Sequence, residues 1–231
     1  MRENITRSAL LVIDMEMGFI SPQSPHCIPA AAGTVPAICR AVETAREKGI
    51  PVFFVKRLYR ADGSDVELTR WAGWRDGGRA MTPGSAGPIS AEAPEGLRPL
   101  PGDYNIIKPR WSAFFQTELD LILRRLGVRT VILTGTTTPN CVRTTAYDAN
   151  ALDYNVVVLS DCCSSRSEAV QAANLEDMAV MGAVIMTEAA FRDYDGVHDP
   201  VPDILADRAA CDLAPEGFEN TPGGVTVTDR W

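Results

Sequence analysis

The chain has 231 residues and a net charge of −8, an acidity that argues against nucleic acid or an anionic membrane as partner. The first residues lack the apolar core and cleavage pattern of a secretion signal, and no apolar run approaches the roughly 18 residues of a membrane span. A soluble, cytoplasmic protein is expected, with its six cysteines (27, 39, 141, 162, 163 and 211) as free thiols.

Ala9 to Ile13 (ALLVI) reads as a first, central strand that ends at Asp14. Met15 to Ile20 leads into a proline- and serine-rich loop, and a helix follows from about Val35 to Lys48, stopped by Gly49. Pro51 to Lys56 (PVFFVK) is the second strand, which establishes a β-α-β unit. From Arg57 to Asp103 the sequence is glycine- and proline-rich with almost no periodicity. A connection of that length inside a compact domain is a lid, a binding loop or an ordinary surface excursion. Trp71 and Trp74, with Arg70 and Arg75, are its candidates for covering a pocket or contacting another subunit.

Tyr104 to Lys108 (YNIIK) is strand-like and ends in a lysine. A helix starting at Ser112 or Thr117 should bury Leu119, Ile122, Leu123 and Leu126, closed by Gly127. The apolar run Val131-Ile132-Leu133 suits a strand buried on both faces. Gly135, three threonines and Pro139 then lead to Cys141, which opens a helical pattern through Val142, Ala146, Ala149 and Leu152, with Asn140 as N-cap. Asn155 to Leu159 is another parallel strand, followed by a helix from about Ser167 to Met181, a short strand at Ala183 to Met186, and a short helix from Glu188 to Arg192. These elements make one domain over 1–195, with 57–103 inserted in it. Residues 196–231 read as an irregular C-terminal arm.

Strands alternating with helices imply an α/β, doubly wound, mainly parallel sheet with right-handed crossovers. In the commonest such order the first and fourth strands are neighbours where the winding reverses, and ligands bind in the crevice at their carboxyl ends. That places Asp14 beside Cys141; topology alone does not bring Lys108 there. Two readings of Cys141 remain open, a small buried hydrophobe and a nucleophile whose thiolate the helix N-terminus favours. Asp161 is read as the cap of the following helix, and Cys162 and Cys163 as inert. The two histidines, His26 and His198, lie far apart in irregular segments, which supplies neither a Cys–His dyad nor a metal site.

Several ordered pieces resemble the isochorismatase-like cysteine hydrolases: LLVIDME ending at Asp14 and Glu16, KPRWSAFFQTELDLILRRLGV from Lys108, TVILTGTTTPNCVRTTAYDA around Cys141, and VVVLSDCCSS at 156–165. The resemblance covers roughly residues 8–190. It implies a six-stranded parallel sheet, a catalytic set of Cys141, Asp14 and Lys108, and a cis peptide mapping to Thr136–Thr137. The backbone N–H groups of Thr137 and Cys141 would then face an oxyanion. Members cleave small amides or, in the isochorismatases, a vinyl ether. The histidine-rich metal site of the nicotinamidases is missing, so neither metal nor cofactor is expected. The Lys108 to Phe115 element looks nearest to the carbamoyl-amide hydrolases, whereas many members carry Gln where Glu16 stands.

The resulting expectation is a metal-independent cysteine amidohydrolase acting on a small amide, carbamoyl or ureido C–N bond. Phe19, Arg110, Trp111 and Phe114 are its candidate pocket residues, although packing on a helix face is the competing role for Trp111 and Phe114, and the expected one for Phe115. Vinyl-ether hydrolysis without a covalent intermediate, and a catalytically silent binding protein, are the alternatives. A homo-oligomer, dimer or tetramer, is expected from the resemblance.

Overall fold

The computed structural model describes residues 7–210. Its centre is a six-stranded, all-parallel sheet in the order β3-β2-β1-β4-β5-β6. The strands are β1 (Arg7–Ile13), β2 (Val52–Arg57), β3 (Tyr104–Lys108), β4 (Val128–Thr136), β5 (Asn155–Ser164) and β6 (Val184–Met186). The central strands are apolar on both faces because helices cover both. One face sets Ala9, Leu11 and Ile13 of β1 against α4 (Leu119–Arg125), α5 (Arg143–Ala151) and α6 (Glu168–Val180). The other sets Leu10 and Val12 against α2 (Ala31–Glu47) and α7 (Glu188–Phe191). Period-two alternation along β1 thus assigns each residue to a layer.

β1 and β4 are neighbours, with Ile13 opposite Gly135, so the expected reversal of winding falls between them. Gly135 has φ +112, and a Cβ there would land on the Ile13 carbonyl oxygen; only glycine lets the two strands close at this point.

The 57–103 excursion is built rather than loose. It carries the short helix α3 (Trp71–Asp76) and a third apolar cluster in which Tyr59, Val66, Trp74, Ala80 and Met81 pack with Phe19 of α1 (Met17–Ile20). Backbone bonds from Met17 and Gly18 to the carbonyls of Glu92 and Ser90 fasten its far end beside the end of β1.

The sequence reading departs from the structure in a few places. The helix expected from Ser112 or Thr117 is only α4, and Phe115 is 47 % exposed rather than packed. The residues from 109 to 118 instead turn through side-chain-to-backbone bonds of Ser112 and Thr117. Asp161 lies inside a longer β5, where its carboxylate accepts the Glu188 N–H at the start of α7; Ser167 caps the following helix, α6. Where an irregular arm was expected, Val201–Ala210 forms a helix, α8, in a separate compact unit that begins at His198. Its first turn is bracketed by the Asp199 bond to the Val201 N–H and by His198 Nε2 at 2.8 Å from Asp203 Oδ2. The remainder of the arm, with Cys211, lies outside the described residues. Among the described residues no helix is long and apolar enough to cross a membrane.

Candidate active site

Residues on one face of the sheet continue past its carboxyl edge with charged groups. Phe53, Val55 and Arg57 alternate along β2, and Tyr104, Ile106 and Lys108 along β3, with Arg57 opposite Lys108. Asp14 follows β1 in a left-handed conformation, φ 51, which Asp tolerates better than most residues. Its N–H bonds the Val55 carbonyl at 2.9 Å, which fixes the turn.

Lys108 reaches across the end of β2, and its Nζ lies 2.8 Å from Asp14 Oδ2 and 3.0 Å from the Arg110 carbonyl oxygen. Lys108 is 0 % and Asp14 1 % exposed, so the pair is closed from water. Cys141, 6 % exposed, lies against the same carboxylate. Burial above all, then the charge of Asp14 and a hydrogen bond to it, push the Cys141 thiol up to about 12, despite the opposing charges of Lys108 and Arg57. The sequence reading expected a helix N-terminus to favour the thiolate. Here Cys141 sits in a π-helical turn, Thr138–Val142, ahead of α5, and burial beside a carboxylate favours the thiol.

That turn is tied down at several points. The Thr136–Thr137 peptide is cis. The hydroxyls of Thr137 and Thr138 both bond the Ser164 carbonyl of β5. Asn140, expected as N-cap, lies within the turn, and Thr137 occupies the cap position without its side chain accepting a bond from the turn's N–H groups. The buried Thr145 hydroxyl donates to the Cys141 carbonyl at 2.6 Å and accepts the Ala113 N–H at 3.0 Å, joining the turn that holds Cys141 to the segment that follows Lys108.

Two further buried ionisable groups, Arg57 and Glu16, complete the cluster. Arg57, 1 % exposed, donates to the Pro109 carbonyl at 2.7 Å and to Glu67 Oε1 at 2.8 Å. Burial works against its charge, yet the facing Tyr59, Asp14, Cys141 and Glu67 outweigh it. Tyr59 donates its hydroxyl to Glu67 Oε2 at 2.9 Å. Glu16, also 1 % exposed, accepts the Arg57 N–H on Oε1 at 2.7 Å, and its Oε2 has no partner.

An Isochorismatase domain matches residues 8–190. The chain belongs to the isochorismatase family. A protein of Arabidopsis thaliana described as a probable inactive nicotinamidase is 39% identical over 79% of this chain and 93% of its own. N-carbamoylsarcosine amidase of an Arthrobacter species is 29% identical over 87% of this chain and 77% of its own. The solved isochorismatase family protein of Desulfovibrio vulgaris shares 41% identity at a TM-score of 0.76, covering 87% of this chain and 99% of that one.

Within this isochorismatase-family fold, the four pocket residues named from sequence have different surroundings. Phe19 is buried in the third cluster with Tyr59, Trp74 and Met81. Phe114 stacks on Tyr154, with ring centroids 5.7 Å apart, just before β5 begins, at the opposite edge of the sheet. Trp111 is 42 % exposed. The Arg110 guanidinium is spent on the carbonyls of Asp65 and Pro109, tethering the excursion, and its own carbonyl serves Lys108. Arg57 and its partner Glu67 went unnoticed in the sequence. The available signal was the period-two continuation of Phe53 and Val55. A cleft of about 370 Å³ opens between Ala30 and α6, lined by Ser165, Arg166, Gln171 and Ser164, whose carbonyl holds the Thr137 and Thr138 hydroxyls; Cys141, Asp14 and Lys108 do not line it. Among the described residues no three His, Cys, Asp or Glu side chains cluster as a metal site.

Proposed function

We propose that this protein is a cysteine amidohydrolase of small amide, carbamoyl or ureido substrates, with Cys141, Asp14 and Lys108 as its reacting set. The observation that carries this reading is the buried Asp14–Lys108 ion pair with the Cys141 thiol against its carboxylate. A thiol held neutral needs a base at the moment of attack, and Asp14 is that base. As the sulfur bonds to the substrate carbonyl carbon, its proton passes to Asp14. The carbonyl oxygen takes up the displaced electron pair opposite the backbone N–H groups of Thr137 and Cys141. Collapse expels the amine, which leaves with the proton from Asp14. Water then gives a proton back to Asp14 and its oxygen to the thioester carbon. The C–S bond breaks, and the sulfur recovers its proton. Lys108, hydrogen-bonded to Oδ2, holds Asp14 oriented while it takes up and returns the proton.

The relative named N-carbamoylsarcosine amidase supports the carbamoyl class. The relative described as probably inactive makes loss of catalysis the competing outcome. Ammonia release from a panel of small amides and ureides, with Cys141→Ala as the blank, tests both. Release by the native protein alone, with an acyl adduct on Cys141 by mass spectrometry, is expected; no release from any panel member would overturn the proposal.

A further inference from the structure

At the base of the site two carboxyl groups stand near one ammonium. Lys108 Nζ bonds Asp14 Oδ2 and the Arg110 carbonyl. Glu16, two residues on, is as buried as Asp14, and each has one oxygen without a partner, Oε2 and Oδ1; the difference is that Asp14 has the ammonium on its other oxygen, whereas Glu16 Oε1 has only a backbone N–H. A carboxylate oxygen sealed from water without a donor is strongly disfavoured, whereas a carboxylic acid asks for much less.

We propose that Glu16 is a positioning residue that works as a neutral acid, leaving Lys108 to Asp14, and that ionisation of Glu16 shuts the site down by competing for the same ammonium. The inference rests on the reading of Cys141, Asp14 and Lys108 as the reacting set. The groups around Glu16 agree in direction. Burial raises its pKa well above the carboxylate range, and the charge of Asp14 at the end of β1 adds to this. Lys108 from β3, with Lys56 and the Arg57 N–H from β2, pulls the other way and loses. With Glu16 neutral, the cluster holds two matched pairs, Asp14 with Lys108 and Glu67 with Arg57. With Glu16 ionised it holds an extra negative charge with no counterion, beside a thiol that must lose its own proton.

The test is the pH profile of kcat/KM for the native protein and Glu16→Gln, together with infrared difference spectra of the two at neutral pH. Gln keeps an oxygen for the Arg57 N–H and has no proton to lose. The native rate should fall about tenfold per pH unit above a midpoint set by Glu16, and Glu16→Gln should lack that limb. A protonated-carboxyl band should be present in the native protein and absent from Glu16→Gln. An unchanged alkaline limb, or no such band, would overturn the inference. The infrared measurement needs no turnover, so protonation of Glu16 is decided even if Cys141→Ala shows the hydrolase reading to be mistaken. In that case the band alone cannot rescue the positioning role, which falls with the activity.

Discussion

Lys108 and Asp14 meet at 2.8 Å across the end of an intervening strand, both sealed from solvent. Neighbouring strands lie about 4.8 Å apart, so the lysine arm, the 2.8 Å contact and the aspartate side chain together bridge two strand spacings. Removing one member of a buried pair leaves the other uncompensated. Lys108→Met should therefore cost about 3–5 kcal/mol of stability, measured by urea unfolding, and abolish amide hydrolysis in whatever protein still folds.

Cys141→Ala deletes one sulfur in a 6 %-exposed position and leaves the ion pair intact. Ammonia release should vanish while the unfolding midpoint changes by no more than about 1 kcal/mol equivalent. A variant that unfolds readily would instead mark the sulfur as packing.

The raised thiol has a direct chemical readout. A thiol's ordinary value of 9.0 becomes about 12 in the folded site, so Cys141 is protonated at neutral pH. Iodoacetamide should label it more slowly in the native than in the denatured protein, with a rate that climbs about tenfold per pH unit well beyond pH 9. The sign for stability follows. The folded state holds this proton more tightly than the unfolded one, so the contribution is fully present below about pH 9 and is lost as pH rises toward 12. Cys141→Ala should blunt that alkaline loss, as seen in unfolding midpoints compared at about pH 8 and about pH 10.

Gly135→Ala places a methyl group on the Ile13 carbonyl at a φ that L residues avoid. The central β1–β4 pairing has no room to yield, and a cost above about 4 kcal/mol is expected. Failure to recover folded protein, judged by near-UV circular dichroism, is the expected result; a well-folded variant would refute the close approach.

Glu67→Ala strips Arg57 of its carboxylate and Tyr59 of its acceptor. A loss of about 3 kcal/mol is expected, with faster proteolytic nicking between residues 57 and 103 than in the native protein. Nicking at an unchanged rate would show that the excursion is held by its apolar cluster alone.

Sequence carried much of this. The strand–helix alternation and the reversal of winding put Asp14 beside Cys141, because a parallel sheet allows few orders. Lys108 was not placed by topology, since β3 is two strands from β1 and only the length of a side chain closes the gap. The thiolate expected at a helix start was misjudged because it weighed a dipole without the burial and the neighbouring charge. Phe114 packs on Tyr154, the competing role named for it, although its segment bends instead of continuing a helix. The order within 57–103 was invisible for another reason. Its anchors, Arg57 with Glu67 and Arg110 with the Asp65 carbonyl, join residues 10 and 45 positions apart and leave no periodic trace.

The Thr145 hydroxyl has a consequence for variation in this chain. One oxygen spans the arm that bears the sulfur and the arm that bears the ammonium, so each sits where it does by reference to the other. Serine at this position would preserve the bridge, whereas valine, of nearly equal bulk, would let the two arms drift independently. A neighbouring side chain that takes no part in the proposed chemistry thereby ties the Cys141 turn to the segment after Lys108.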